Sequence, residues 1–402
     1  MKINLKEFKS AFEKVEKGIS KEAKTEILKT ILVSIETKNN QPVEVSELSD
    51  IILKLSTTGL DVYTNVYITN ENNINNVDIS DSVINSFVIK NPKELKKAMK
   101  YFKNDIIEFN VINQEKLEVI NGNKKMEIEY LDVSLFPEMK DDKTPVIDNK
   151  TKEVKDIKEY IISSQDLLKR ILKTKKSISR DAARKELNCF VLQEDFMFTC
   201  DSHRIFKSKF DSDVNFDRPI LVNKKAIALI ENFIDKKDEY EITISENSEY
   251  ISFKFNNTVI SSRIIQGTII KINEFMSQNN DKEYYANLNT KELLENIKYL
   301  KEFYTKEEFL VLNIDNNKID FTLKTEKSIF NAGQEVLKDS NIKVSEIDNN
   351  KFKIGFDIRY FLDVVSQIDN KEVSLYFTAQ LSPMMIYDNN ETYLTLPVRI
   401  ID

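Results

Sequence analysis

Apolar and polar positions repeat six times along the chain, and each copy predicts a short strand followed by a capped amphipathic helix. The cap candidates are residue types whose side chains accept hydrogen bonds from free helix amides: Asn4, Asn91, Ser163, Asn223, Asn289 and Asp357. Large apolar residues follow each cap at helical spacing and predict a buried stripe: Phe8 and Phe12, Leu95 and Met99, Leu167 and Ile171, Ile227 and Ile230, Leu293 and Ile297, Phe361 and Val365.

The segments between these helices predict strands. Alternating or aromatic-rich stretches lie at 52–56, 62–68, 196–200, 250–255 and 373–377, and Asn121–Gly122 predicts a two-residue hairpin turn. Each copy is therefore a strand, a helix and further strands, and two copies must pair to bury the helix face. The sequence predicts an α+β protein of three similar domains. Charged stretches at 139–156 and 277–282 predict linkers, which places the domains at 1–148, 149–281 and 282–402.

Composition excludes several classes of protein. The 402 residues contain no apolar run near the roughly 18 residues of a membrane span, and the first six lack the apolar core of a signal peptide, so we expect a cytoplasmic protein. Six glycines form no phosphate-binding loop. One histidine, His203, and two cysteines, Cys189 and Cys200, leave no material for a disulfide framework or a zinc site. We expect no cofactor, no metal and no catalytic site.

Charge is segregated between the helices and the remainder of the chain. The net charge is −7, yet residues 91–104 and 163–176 each carry +4. The other helix windows, 223–237, 4–17, 289–303 and 357–370, carry +2, +1, 0 and −2, which leaves −16 outside the helices. Helical geometry predicts that Lys93, Lys97, Lys100, Lys169, Lys173, Lys176, Lys224 and Lys225 point away from the apolar stripes. Such faces are either ordinary solvated surfaces or a surface that contacts phosphates.

Three stretches carry recognisable motifs. The first is Ser-Arg-Asp-Ala-Ala-Arg-Lys-Glu-Leu-Asn at 179–188, and the second is Phe-Thr-Cys-Asp-Ser-His-Arg-Ile at 198–205. The third is the C-terminus, with Leu-Ser-Pro-Met-Met-Ile at 381–386 and Tyr-Leu-Thr-Leu-Pro-Val-Arg-Ile at 393–400. These stretches resemble the bacterial sliding clamp, the β subunit of replicative DNA polymerase, and a weaker likeness lies at 55–62. The order of these motifs extends along the whole chain, and the family has the same six-fold repeat.

The resemblance implies a head-to-tail homodimeric ring whose helices line a hole around duplex DNA, a non-enzymatic processivity factor that contacts phosphates without reading sequence. The expected DNA contacts are Lys24, Lys93, Lys97, Lys100, Lys169, Lys173, Lys176, Arg180, Arg184, Lys185, Lys224 and Lys225.

The resemblance also implies a groove between domains 2 and 3 that takes short peptides from polymerase and clamp-loader subunits. Its expected residues are Leu187, Cys200, Ser202, His203, Arg204, Ile205, Ile270, Phe275, Pro383, Leu394, Leu396, Pro397, Val398 and Arg399, with Arg204 and Arg399 at its edges. Cys200, Ser202, Ile270 and Glu274 depart from the family pattern at the groove, and Glu186 replaces a frequent aromatic DNA contact. The groove is therefore expected to prefer a different peptide.

Alternative interpretations compete with these assignments. Asp201, Ser202 and His203 have the composition of a hydrolase triad, but adjacent residues on a strand point to opposite faces and cannot form a relay. Cys189 and Cys200 are either a redox pair or small buried residues. The acidic pair Asp141–Asp142 lacks metal-loop spacing and predicts a linker. For the whole chain, a clamp-fold interaction module that sequesters replication partners without encircling DNA remains the alternative function.

Overall fold

The structure is a computed structural model that describes residues 1–20, 22–37, 51–70, 77–78, 86–140, 143, 156–181, 183–278, 284–306, 308–315, 317–342 and 352–400. The chain forms two compact units. Unit 1 comprises residues 1–165 and 222–264, and unit 2 comprises residues 166–221 and 265–402. Among the described residues, no helix is both long and apolar enough to span a membrane.

Seven α-helices occur in the described ranges. They are α1 (Leu5–Glu16), α2 (Pro92–Met99), α3 (Ser164–Thr174), α4 (Lys224–Phe233), α5 (Ile272–Gln278), α6 (Thr290–Lys301) and α7 (Ile358–Val365). All of them except α5 begin directly after a predicted cap. Four caps accept hydrogen bonds from amides of the first helical turn: Asn4, Asn223, Asn289 and Asp357. The Asn91 side chain makes no such bond, and Pro92 opens that helix instead, since its missing N–H costs nothing there.

Twenty-five strands accompany the helices in the part of the chain that the structure describes. They are β1 (Lys2–Asn4), β2 (Ile31–Thr37), β3 (Ile51–Thr58), β4 (Val62–Thr69), β5 (Val77–Asp78), β6 (Ser86–Ile89), β7 (Ile106–Val111), β8 (Lys116–Asn121), β9 (Lys124–Leu131), β10 (Lys158–Ser163), β11 (Cys189–Glu194), β12 (Phe196–Cys200), β13 (Arg204–Lys209), β14 (Phe216–Asn223), β15 (Glu241–Glu246), β16 (Tyr250–Phe255), β17 (Thr258–Arg263), β18 (Tyr284–Asn289), β19 (Leu310–Ile314), β20 (Lys318–Lys324), β21 (Ile329–Glu335), β22 (Phe352–Phe356), β23 (Glu372–Phe377), β24 (Met384–Asp388) and β25 (Glu391–Thr395).

The strands form one large sheet in unit 1 and two smaller sheets in unit 2. The first has thirteen strands in the order β10-β15-β16-β17-β4-β3-β2-β6-β9-β8-β7-β1-β5. The second has the order β14-β11-β12-β13-β25-β24-β23-β18, and the third has the order β21-β20-β19-β22. The neighbouring strands pair antiparallel. Two of these pairs matter below, β4 with β17 and β13 with β25. The α+β prediction is confirmed.

The predicted helix stripes are buried as expected. All twelve stripe residues, from Phe8 to Val365, are at most 2% exposed and belong to the cores under the sheets. Each of the six repeats is one strand, one helix and three further strands, because β1-α1-β2-β3-β4 recurs as β6-α2-β7-β8-β9 and so on to β22-α7-β23-β24-β25. Helix α5 lies outside this repeat and was not predicted.

The hairpin turn is displaced by one residue from its prediction. Asn121 pairs with Lys124 as the last residue of β8, so the two turn residues are Gly122 and Asn123. Gly122 has φ +62°, a conformation that favours glycine. The Asn121 side chain accepts hydrogen bonds from the amides of Lys103 and Asn104, which holds it in the strand rather than in the turn.

The predicted domain boundaries at 148/149 and 281/282 lie outside the described residues, as do most of both linkers and the acidic pair Asp141–Asp142. The structure shows two compact units, and the segment predicted as domain 2 contributes residues to both. The three-domain division therefore stays a prediction.

Candidate partner groove and DNA-facing helices

The predicted groove residues lie mainly on one face of the eight-stranded sheet in unit 2. Side chains alternate along each strand, and one set faces a core that includes α6 and α7. The opposite set, which we call the groove face, forms a separate apolar cluster. This cluster contains seven of the predicted residues: Leu187, Cys200, Ile205, Ile270, Phe275, Leu394 and Leu396.

Helix α5 packs on the groove face. Its residues Ile272 and Met276 are buried in the same cluster, while Ile270 and Phe275 are half-buried at its margin. Met385, directly opposite Leu394 in the sheet, is also part of the cluster and fully buried. Ile272, Met276 and Met385 were missed in the sequence. Alternation along 384–388 was available as a signal for Met385.

Residues 201–203 make a tight turn rather than a catalytic relay. One Asp201 carboxylate oxygen accepts hydrogen bonds from the amides of His203 and Arg204, both at 3.1 Å. The His203 ring instead stacks on Tyr360 at 5.6 Å between ring centroids. Ser202 has φ +76°, a backbone conformation that favours glycine. The Ser202 hydroxyl accepts a hydrogen bond from the Arg184 guanidinium at 2.6 Å.

Arg204 is buried rather than placed at the groove edge, which corrects the prediction. It is 6% exposed, because its guanidinium is within 2.8 Å of an Asp201 carboxylate oxygen and within 2.7 Å of one from Asp363. It also donates to the carbonyl of Lys176 at 2.6 Å. With its donors used inside the protein, Arg204 fixes the turn and the end of α7 rather than contacting a peptide.

The C-terminal segment is held by two backbone hydrogen bonds. The Leu396 amide donates to the His203 carbonyl and the Val398 amide to the Gly355 carbonyl, both at 2.8 Å. A Cβ on Gly355 would lie 2.9 Å from Ile400 Cγ1, so glycine permits this close approach. Pro383, Pro397 and Val398 are half-buried and Arg399 is exposed, which leaves them accessible beside the cluster.

Both cysteines are free and buried among the apolar residues of this cluster. Burial raises the pKa of the Cys189 thiol to about 12 and also raises the pKa of the Cys200 thiol. A reactive cysteine needs a depressed pKa and access to solvent. The environment of both thiols is that of small core residues.

Helix α2 presents the predicted basic face. Lys93, Lys97 and Lys100 are exposed, and none of them forms an ion pair with any residue in the described ranges. Lys224 is half-buried. Four other predicted DNA contacts are exposed: Lys24, Arg180, Lys185 and Lys225.

Helix α3 differs from its prediction. Lys173 is 7% exposed and forms an ion pair with Asp369 at 2.8 Å, so it is not on an open face. Lys176 donates to the Ser366 hydroxyl at 2.7 Å, and partial burial lowers its pKa despite the nearby Asp363. Lys169 is 3.3 Å from Asp211. These contacts could not be predicted from the pattern along α3, since the partners lie between 42 and 196 positions away along the chain.

Arg170, between these lysines, lies at the centre of a buried ionic network. Its side chain is fully buried and contacts Asp166 at 2.9 Å, Asp211 at 2.7 Å and Glu391 at 3.1 Å. Glu391 is itself 1% exposed and also accepts from the Ser208 hydroxyl. The network joins α3 to the paired strands β13 and β25, which carry the groove face.

Comparisons with known proteins agree with this geometry. Residues 278–399 match the family model described as DNA polymerase III beta subunit, C-terminal domain. The beta sliding clamp of Bacillus subtilis (strain 168) is 25% identical over 307 residues, which cover 73% of this chain and 75% of that protein. The C-terminal part of the chain is therefore similar to the DNA polymerase III beta subunit family, and the Bacillus subtilis relative extends that similarity over most of the chain. The beta sliding clamp of Staphylococcus aureus (strain Mu50) is 24% identical over 246 residues, 57% of this chain and 61% of that protein.

Solved sliding clamps share the fold of this chain over its whole length. The clamp from Bacillus subtilis superimposes with a TM-score of 0.79 at 18% identity, covering 100% of this chain and 99% of the other. The clamp from Caulobacter crescentus gives 0.80 at 17% identity, with 99% of both chains covered. The fold of a DNA polymerase III beta-type clamp therefore extends beyond the matched C-terminal domain to the entire chain.

Proposed function

We propose that this chain is a cytoplasmic, non-catalytic processivity clamp of three domains that encircles duplex DNA as a head-to-tail homodimer. The observation that carries the ring is the pairing of the last strands of the repeats. β4 of the first repeat pairs with β17 of the fourth, and β13 of the third pairs with β25 of the sixth. Each pairing joins the first repeat of one predicted domain to the second repeat of the next.

If every repeat pairs through its last strand in this way, the last strands of the second and fifth repeats pair between two copies of the chain. β21 of the fifth repeat is an edge strand, and β9 of the second repeat pairs with β6 only through Tyr130 and Leu131. The rule joins β21 of one copy to β9 of another, and two such junctions close a symmetric head-to-tail dimer. A closed ring also removes both open edges, which otherwise invite aggregation.

Solution mass tests the ring. Light scattering after size exclusion should give twice the chain mass of 46.9 kDa at micromolar concentration. Ile329→Lys, on β21, should shift the mass toward a monomer because it places a charge at the junction. Ile161→Lys is the matched control, since Ile161 lies on an edge strand of the other unit with 57% exposure against 60% for Ile329. A wild-type monomer that persists as concentration rises contradicts the ring.

DNA contact is proposed to centre on α2. Double charge reversal at Lys93 and Lys97 should reduce the slope of log affinity against log salt by about 2 for a 30-base-pair duplex. The control, Lys254→Glu with Lys371→Glu, reverses the same number of charges at exposed positions away from α2 and from β21, and it should leave the slope unchanged. Retention on circular but not on linearised plasmid tests encirclement directly.

The groove face is the proposed site for short apolar peptides of polymerase and clamp-loader subunits. Apolar residues on its floor, including Leu394 and Leu396, suit leucine and phenylalanine side chains. Arg184, Lys271 and Arg399 are exposed cations close in sequence to residues of this cluster.

A second function, a clamp-fold module that sequesters partners without encircling DNA, is favoured by one observation. The basic residues of α3 are engaged by carboxylates of the protein itself, as the Lys173–Asp369 pair illustrates. Peptide binding by a chain that stays monomeric and shows no preference for circular DNA would support this alternative.

A further inference from the structure

A continuous row of six side chains crosses the groove face from strand to strand. Direct register partners link them in sequence along β12, β13, β25, β24, β23 and β18. The row consists of Cys200, Ile205, Leu394, Met385, Tyr376 and Tyr285. Its first three members are groove residues predicted from the sequence, whereas its last two are tyrosines to which neither the sequence nor the proposed function assigns a role.

The tyrosine end of the row is an accessible aromatic surface. Tyr285 and Tyr376 lie 5.4 Å apart between ring centroids, and Tyr387 meets Tyr376 edge-on at 5.3 Å. Tyr387 is 39% exposed and follows Met385 by two residues, so it lies on the same face of β24. We call Tyr285, Tyr376 and Tyr387 the tyrosine platform. Helix α5 covers the middle of the row and leaves the platform outside the buried cluster.

The charge around the platform selects its partner chemistry. The positions of β18, β23 and β24 on this face carry Asn287, Asn289, Ser374, Met385 and the three tyrosines, with one carboxylate, Glu372, at the far end of β23. None of those positions carries lysine or arginine. Single-stranded nucleic acid stacks on aromatic rings but needs cations for its phosphates, and these strands supply none. Lys207 of β13 lies on the same face two strands from Tyr387, but its ammonium group lies over the Phe196 ring and donates a hydrogen bond to Asn273. Uncharged proline-rich peptide, by contrast, docks on flat aromatic surfaces.

We propose that the tyrosine platform is a second docking surface for the partner chain whose apolar anchor occupies the groove, and that it takes an uncharged, proline-rich segment flanking that anchor. This inference rests on the proposed partner groove. The distance from the groove to the platform is short, since Leu394 and Tyr376 are two strand spacings apart, or about 10 Å. About six extended residues span that distance with room to pass around α5. One partner then makes two weak contacts, and the second is favoured by a high effective concentration.

The test compares two synthetic peptides of equal length by fluorescence anisotropy. Both carry the anchor Leu-Leu-Phe and a six-residue Gly-Ser spacer, and they end either in six prolines or in six further Gly-Ser residues. The proline peptide should bind about tenfold more tightly, the gain expected from one or two aromatic contacts. Tyr376→Ala with Tyr387→Ala should abolish the gain and leave binding of the Gly-Ser peptide unchanged. Tyr101→Ala is the control, because Tyr101 is 69% exposed and follows α2 in unit 1.

The outcomes separate the inference from the proposed function. If neither peptide binds, the groove itself is misassigned. If both bind equally, or if the tyrosine variants retain the gain, the platform proposal is wrong. An oligonucleotide of ten thymidines is measured in parallel. Binding of this probe that the tyrosine variants abolish would overturn the peptide assignment in favour of single-stranded nucleic acid.

Discussion

The buried Arg170 network predicts a large and specific loss of stability when its cation is removed. Arg170→Met keeps an unbranched side chain of similar length but leaves the carboxylates of Glu391 and Asp166 without their buried positive partner. Glu391 is 1% exposed, so water cannot replace the guanidinium. Breaking a buried pair in this way costs about 3–5 kcal/mol.

This free energy translates into a measurable melting shift. One kcal/mol lowers the Tm of a domain of 150–250 residues by about 2–4 °C, so Arg170→Met should lower the Tm by about 6–20 °C. The matched control is Lys209→Met, which removes a nearby cation whose partner Asp195 lies 2.8 Å away at the surface. Both side chains are about half exposed, so solvent screens that pair and its removal should leave the Tm almost unchanged.

Thermal unfolding followed by circular dichroism and calorimetry measures both variants. A rescue variant, Arg170→Met with Glu391→Leu, should recover part of the loss, since replacing a buried ion pair by apolar groups is often neutral. If Arg170→Met melts within a few degrees of Lys209→Met, the buried network does not stabilise the fold as expected.

Three other perturbations have defined outcomes. Gly355→Ala should weaken binding of the anchor peptide, because its Cβ would displace Ile400 and with it the C-terminal segment; unchanged affinity would contradict that. Iodoacetamide at pH 8 should leave Cys189 unmodified in the folded protein, since a pKa near 12 leaves about one thiolate in ten thousand, and mass spectrometry before and after unfolding checks this. Partial burial alone would raise the pKa of Asp357, but the hydrogen bonds from Arg359 outweigh this effect, so the pKa of Asp357 is lowered. The stabilisation is then present above about pH 4 and lost as pH falls, so Asp357→Asn should flatten stability against pH between 5 and 3 in denaturant titrations.

Local rules predicted most of the architecture. A cap followed by an apolar residue four positions later located every repeated helix, because both signals lie within one helical turn. Strand alternation located β12 and β16 to the residue. The hairpin at Gly122 was displaced because Asn121 is recruited by the amides of Lys103 and Asn104, a contact that spacing along the chain does not indicate.

The site was less predictable because it depends on contacts between distant segments. Lys173 occupies a helix position that is typical of a solvent-exposed lysine. It is buried because it forms an ion pair with Asp369, which is distant along the chain. Arg204 was expected at the groove edge, but its guanidinium forms an ion pair with Asp363, a contact that the local sequence does not indicate. Helix α5 has only seven residues and no predicted cap, so no periodic signal distinguished it from a linker.

The pairing of β13 with β25 has a consequence for synthesis of the chain on the ribosome. β13 ends at residue 209 and its partner begins at residue 391, so at about 5–20 residues per second the partner arrives roughly 10–40 s later. During that interval β13 is an exposed edge, and the Arg170 guanidinium lacks Glu391. Nascent chains that stall in this window should therefore be the species that ribosome-bound chaperones capture. Unit 1, by contrast, is complete once residue 264 has been synthesised.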